Sequence, residues 1–99
     1  MASISLSTAG DAATVTIQGN FTFDLNREFR NAYQKIPKNL PVTVDLSKAT
    51  YIDSAGLGML IRLRDHAGGD TRAVRLTGAN DTIRNILEVA NFGRLFTIA

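Results

Sequence analysis

A serine lies at the start of a predicted helix in the middle of the chain, where residues 53 to 58 read D-S-A-G-L-G. The first backbone N–H groups of a helix lack partners within it, and either Asp53 or Ser54 can accept one of them as the N-cap residue. One of these two side chains is therefore spare. A spare hydroxyl at a helix N-terminus, beside a carboxylate and small residues, favours a site for a phosphate group or a partner protein.

Two glycines follow this serine at positions where a helix normally carries side chains. Each costs roughly 1 kcal/mol relative to alanine in a helix interior. We interpret Gly56 and Gly58 as positions that another backbone or another protein approaches closely.

The residues around Ser54 do not form a catalytic pattern. His66 is the one histidine, and it lies on the same predicted helix about three turns away, at roughly 1.5 Å per residue, so the two side chains cannot meet. The Gly-x-Ser-x-Gly elbow and the glycine fingerprints of phosphate-binding loops are absent from the sequence. There is no cysteine, which excludes thiolate chemistry. We therefore expect no enzyme activity, no metal site and no cofactor.

Length and charge restrict the class of protein further. A chain of 99 residues is expected to form one domain, which we assign to residues 1–99. The net charge is only +2 and the arginines are scattered among acidic residues, which disfavours a nucleic-acid partner. No apolar run approaches a membrane span and no secretory signal is visible, so we expect a cytoplasmic protein without direct membrane insertion.

Period-two and helical patterns alternate along the chain and predict the element order β-β-α-β-α-β-α-β. The first two strands form a hairpin, the second ends at Gly19, and Asp24 is the expected N-cap of the first helix. Residues 42–47 predict an internal strand, and residues 48–52 are expected to form a loop into the serine turn.

The second half of the chain continues this alternation. Residues 73–77 predict a strand, and Phe96 and Ile98 can supply a last short strand or a docked tail. The apolar face of the third helix comprises Ile83, Ile86, Leu87 and Ala90.

The helix after Ser54 has two neighbouring stripes. The first is a core face and comprises Gly56, Leu60, Leu63 and Ala67. The second comprises Leu57, Ile61 and Arg64, and it has two interpretations. Either Leu57 and Ile61 lie at the edge of the core, available to a partner, or Arg64 extends over a wholly internal pair.

Alternating strands and helices predict an α/β fold, in which parallel strands are joined by crossovers and helices pack on the sheet. Functional loops in such sheets gather at the carboxyl ends of the strands. Residues 21–24 and Ser54 both follow predicted strands, so we expect these two segments to be neighbours.

One segment resembles a known family. The run from Asp45 to Leu60, D-L-S-K-A-T-Y-I-D-S-A-G-L-G-M-L, is similar to the signature of the STAS domain, in particular the stand-alone anti-sigma factor antagonists of bacterial partner switching. The G-N-F-T-F-D run from Gly19 to Asp24 and the C-terminal residues 78–98 resemble the same family. The resemblance implies the STAS fold, a mixed four- to five-stranded sheet packed with three main helices.

The resemblance also implies a non-enzymatic switch in signal transduction. In this family a GHKL-type serine kinase, often itself the anti-sigma factor, phosphorylates the motif serine, and a PP2C-type phosphatase removes the phosphate. The unphosphorylated protein binds the anti-sigma partner. By position the phosphorylated residue is Ser54, and Ala55 replaces a second hydroxyl that many members carry. The implied partner-binding residues are Asp24, Asp53, Ser54, Ala55, Gly56, Leu57, Gly58 and Ile61.

The same motif has an alternative interpretation. Related domains with Asp-Ser/Thr-Ala-Gly-Leu act as unphosphorylated, constitutive subunits of lipid-trafficking ABC transporters. The intact Ser54 and Gly58 favour the switch.

Overall fold

Five strands form one mixed sheet in the order β1-β2-β3-β4-β5, and three α-helices accompany it, in the computed structural model, which describes residues 2–38, 40–69 and 74–99. The strands are β1 (Ser3–Ala9), β2 (Ala12–Phe21), β3 (Val42–Ile52), β4 (Val74–Thr77) and β5 (Thr97–Ile98), and the helices are α1 (Asn26–Gln34), α2 (Ser54–His66) and α3 (Asp81–Val89). The predicted α/β class and element order are confirmed. Ala73, which we placed in the fourth strand, lies outside the described residues.

The alternation of side chains across the sheet separates a core face from a polar face. One row of directly paired residues, Leu6, Val15, Val44 and Leu76, belongs to the apolar core or packs against it. The next row, Ser5, Thr16, Asp45 and Thr77, is exposed or half-buried. Since successive residues of a strand point to opposite faces, the apolar period of two places every core residue on one side of the sheet.

The pairing of the strands matches their connections. The tight turn between β1 and β2 gives an antiparallel pair, whereas β2 to β5 pair in parallel and are joined through helices. A parallel pair needs such a crossover because its strands run in the same direction. This arrangement brings the carboxyl ends of the parallel strands to one edge of the sheet.

Two predicted strand ends were wrong. β2 continues past Gly19 to Phe21, and β3 continues through residues 48–52, where we expected a loop. The parallel pairing extends to Phe21 and Ile52, but it passes through two register shifts, between Thr16 and Gln18 and between Gly19 and Asn20. On β3 these shifts interrupt the alternation, since the buried residues after Leu46 are Ala49 and Ile52, so its sequence pattern ends before the strand does. β2 keeps its alternation to Phe21, and Gly19 is an internal residue of that strand.

Asp24 is not the N-cap of α1, which corrects another prediction. A 3-10 helix covers Phe23–Leu25, and α1 begins only at Asn26. The Asp24 carboxylate instead accepts a hydrogen bond from the Thr22 hydroxyl. Leu25 is buried, and the 3-10 turn that carries it inward separates Asp24 from the first turn of the α-helix.

Candidate functional site

The carboxyl ends of β2 and β3 meet the start of α2. The Asp53 backbone N–H donates to the Phe21 carbonyl at 3.4 Å, and the Thr50 hydroxyl donates to the Asn20 amide oxygen at 2.7 Å. Segment 21–24 and the serine turn are therefore neighbours, as predicted.

Asp53 is the N-cap of α2. Its backbone is extended at ψ −177°, its carboxylate accepts the Gly56 N–H at 2.8 Å, and its carbonyl accepts the Leu57 N–H at 3.0 Å. Ser54 is the first residue of the helix and is exposed. Within the described part of the chain its hydroxyl makes no hydrogen bond. The spare side chain is thus that of the serine.

Gly56 is needed by the fold itself. It is buried, and a Cβ built on it would lie 2.7 Å from Ile52 Cγ1 and closer still to the Phe21 carbonyl oxygen. The expected close approach of another backbone is confirmed here, because the end of β2 lies directly against this position. Its contact with a partner protein stays a prediction.

Gly58 has different surroundings from Gly56. It is half-buried, and a Cβ built on it would have no atom of the described residues within 4 Å. The packing of this chain therefore does not require glycine there. Ala55, on the same first turn, is also half-buried.

Leu57 and Ile61 lie at the edge of the core. Both are half-buried and pack against the buried cluster. The Arg64 guanidinium is also half-buried and donates through Nε to the Leu95 carbonyl at 3.1 Å. The pair is therefore not wholly internal, which confirms the expected position at the edge of the core. Contact of Leu57 and Ile61 with a partner stays a prediction. The predicted core face of α2 is confirmed, and Met59 is an additional buried residue of this helix.

An apolar groove between α2 and α3 extends the site, and the sequence analysis missed it. Leu57 lines it with Asn85, Ile86, Val89 and Ala90, around a volume of about 320 Å³. Val89 is 86% exposed. The predicted core face of α3 is wrong in one member, because Ala90 caps the end of the helix and is exposed. The signal for the groove in the sequence was Val89, an apolar residue outside the apolar face of the third helix.

Asp24 lines a different depression from Leu57. It is exposed and lines a polar depression of about 370 Å³ with Asn20, Thr22 and Thr50. The neighbouring Phe23 is 69% exposed, a second apolar side chain that the sequence analysis did not single out. Asp24 and Leu57 thus belong to different parts of the surface at this end of the sheet.

Other polar groups lie away from the serine. His66 contacts the Ile36 carbonyl through Nε2 at 2.7 Å, at the opposite end of α2, so it does not reach Ser54.

The Asp45 carboxyl accepts a hydrogen bond from the Ser47 backbone N–H at 2.9 Å. This bond and the Ser47 hydroxyl lower the pKa of the Asp45 carboxyl. In the described ranges no three acidic, histidine or cysteine side chains cluster as metal ligands would. None of the helices there has the length and apolarity to cross a membrane.

Comparison with known proteins gives relatives by sequence and by structure. The family model described as "Mlab, STAS domain" matches residues 4–97. A STAS-domain containing protein of Pseudomonas aeruginosa (strain UCBPP-PA14) is 43% identical over 93 residues, which cover 91% of this chain and 90% of that protein.

Two solved proteins illustrate the structural likeness. An anti-sigma factor antagonist from Mycobacterium paratuberculosis gives a TM-score of 0.80 at 14% identity, over 99% of this chain and 85% of that one. The Bacillus cell fate determinant SpoIIAA in its phosphorylated form gives 0.64 at 12% identity, over 98% and 91%. The unphosphorylated form of SpoIIAA gives 0.67 at 12% identity, over 98% and 87%. These structures share the fold. The family model and the Pseudomonas relative show that the chain belongs to the STAS-domain family.

Proposed function

We propose that this STAS domain is an anti-sigma factor antagonist of a cytoplasmic partner-switching pathway. In its unphosphorylated form it binds an anti-sigma factor that is also a GHKL-type serine kinase. Phosphorylation of Ser54 releases that partner, and a PP2C-type phosphatase restores the binding form. The domain itself carries out no catalysis in this scheme.

The observation that carries the proposal is the uncommitted hydroxyl of Ser54. Asp53 supplies the cap of α2 through its bond to the Gly56 N–H, so the serine is not required to hold the helix. Its side chain is exposed and accessible to a kinase. Adding a phosphate therefore breaks no hydrogen bond of the fold.

The energetics separate folding from binding. A phosphate at the start of α2 meets the positive end of the helix dipole, an interaction of roughly 0.3–1 kcal/mol, while the nearby Asp53 carboxylate opposes it. Burying a charge of nearly −2 in a partner interface without a matching cation costs several kcal/mol, and each 1.4 kcal/mol is a tenfold change in affinity. Phosphorylation is therefore expected to weaken binding far more than it weakens the fold.

The surroundings of Ser54 support a protein partner. Gly58 leaves open space, and Leu57, three residues after Ser54, lines the apolar groove together with Val89. A residue without a side chain and exposed apolar residues, beside a polar turn, are typical of a surface that another protein covers. We assign partner contact to this surface together with Asp24, Asp53, Ala55 and Ile61.

The likeness to SpoIIAA adds support from the fold. That anti-sigma factor antagonist has been solved in unphosphorylated and phosphorylated forms, and this chain is similar in fold to both. A sheet and helices of this kind are thus compatible with either state.

The test is intact mass with peptide mapping of the protein isolated from its own host, with and without PP2C-type phosphatase treatment. We expect one removable phosphate on Ser54. Each GHKL-type kinase of the host, purified and supplied with ATP, is then titrated with the unmodified and phosphorylated protein. Ser54→Ala should bind the cognate kinase constitutively, and Ser54→Glu at least about tenfold more weakly.

Thr97→Ala and Thr97→Glu serve as controls, because Thr97 is exposed in β5. Neither should change the affinity. Equal affinity of the unmodified and phosphorylated proteins would contradict the mechanism. Absence of phosphate under every growth condition, with co-purification of a transporter ATPase, would favour the constitutive transporter subunit instead.

A further inference from the structure

The two edges of the sheet are unequal. β5 is an edge of only two residues, whereas β1 presents seven residues, Ser3–Ala9, and among the described residues no element pairs with its outer side. An open edge strand exposes a row of unpaired N–H and C=O groups, and proteins usually protect it by shortness, charge, proline or a bulge. Shortness protects β5.

None of these protective features occurs in β1. Its sequence S-I-S-L-S-T-A has no charge and no proline. Its pairing with β2 runs without a register shift from Ser3 opposite Gln18 to Ala9 opposite Ala12, so no bulge turns the edge away. The outer side of β1 is therefore a regular, neutral edge that can accept another strand.

We propose that a second copy of this chain pairs with it, β1 against β1 in antiparallel orientation, to give a continuous ten-stranded sheet. This interface is independent of the proposed function. Two identical charged strands would repel where like charges face each other, but every residue of β1 is neutral, so self-pairing meets no such penalty.

The pleat restricts the register of this pairing. Directly opposed residues of an antiparallel pair share one face, and in β1 the half-buried Ile4 and Leu6 alternate with exposed serines. Only registers that oppose apolar with apolar residues keep the helices of both copies on one side of the sheet. Centring the two-fold axis on Ser5 places Ile4 against Leu6 of the second copy and Ser5 against its own equivalent.

This geometry leaves both serine turns open. A two-fold axis perpendicular to the sheet reverses the strand direction of the second copy, so the two Ser54 residues lie toward opposite ends of the joint sheet. Each copy can then bind its own partner. Stable interfaces bury about 1,200–2,000 Å² of surface, and pairing along one seven-residue strand is expected to bury less. The association is therefore weak and concentration-dependent.

The test is sedimentation velocity of the purified full chain over a wide concentration range. We expect the mean mass to rise from one chain toward two. Ser5→Lys and Ser5→Glu each place like charges across the axis and should weaken association by up to about fivefold. An equimolar mixture of the two variants should restore it, because the charges are then opposite. Thr97→Lys is the matched control on β5 and should associate as the unchanged chain does.

Circular dichroism verifies that the exposed substitutions leave the fold intact. A single-chain mass at every concentration would overturn the proposal. So would association that Ser5→Lys leaves unchanged, or a mixture that fails to restore it. Phosphorylation or Ser54→Glu should leave the dimer unaffected, which keeps this result distinguishable from failure of the switch.

Discussion

Gly56 and Gly58 lie two residues apart in α2, but their surroundings differ. A side chain at Gly56 would collide with the Phe21 carbonyl and with Ile52, whereas a side chain at Gly58 would meet open space. One glycine therefore serves the packing of α2 against the end of β2, and the other is available to serve an interface.

This difference predicts opposite effects of the same substitution. Gly56→Ala should lower the free energy of unfolding by about 1–3 kcal/mol, because the neighbours of its Cβ include backbone that cannot easily move. Gly58→Ala should raise it by up to about 1 kcal/mol through helix propensity, yet weaken binding to the cognate kinase. Urea unfolding measures the first quantity and titration with the kinase the second.

Each glycine is the control for the other, since both changes add one methyl group to one helix. Undiminished affinity of Gly58→Ala would show that no partner approaches that position. Unchanged stability of Gly56→Ala would contradict the packing role.

At the scale of elements, the sequence predicted which strands and helices form but not where two of them end. The apolar period identified β2, β3 and α2 because their buried residues repeat regularly. It failed at residues 48–52, where two register shifts in the pairing with β2 change which side chains point inward. Such shifts depend on the neighbouring strand, so the local pattern of one strand does not contain them.

The candidate site was predictable to a similar extent. The serine turn and the stripe that contains Leu57 follow from local spacing, because a helix fixes the relation between residues three and four apart. The choice of Asp53 as the cap and the half-burial of Leu57 were left open by the sequence and are decided by the structure. The groove between α2 and α3 does not, since it depends on how two helices distant in sequence pack. Val89 lies off the apolar face of its own helix, and only the position of α2 gives it a role.

The groove predicts that binding and stability respond differently to substitutions along it. Val89→Ser should weaken binding to the cognate kinase about tenfold or more while changing stability by under about 0.5 kcal/mol, because the side chain is 86% exposed. Leu57→Ala should also weaken binding more than it lowers stability. Parallel kinase titrations and thermal unfolding compare the two effects.

Leu63→Ala provides the contrast within α2. Leu63 is fully buried, so its truncation should cost about 2–5 kcal/mol of stability. A loss of stability for Leu57→Ala as large as that for Leu63→Ala, with affinity intact, would place Leu57 in the core. Normal binding by Val89→Ser would remove α3 from the interface.

At the scale of the whole molecule, the core and the acidic groups are separate. The buried residues in the described ranges include no Asp, Glu, Lys, Arg or His. Acidification therefore acts on this fold through groups outside its core. Asp45 is one such group, on the polar face of the sheet, where the Ser47 N–H and hydroxyl lower the pKa of its carboxyl.

The lowered pKa of Asp45 predicts a small dependence of stability on pH. Its hydrogen bonds favour the charged carboxylate in the folded state, so their stabilisation is present above the ordinary carboxyl range and is lost as pH falls through about 4 and below. Because the site is open to solvent, we expect less than about 1 kcal/mol. Asp45→Asn removes the charge and keeps an acceptor oxygen, so it should be less stable than the unchanged chain at pH 7 and nearly equal to it at pH 2.5. Urea unfolding at both pH values measures the difference in the free energy of unfolding, and a difference that is the same at both would assign the effect to packing around Asp45 instead of to its charge.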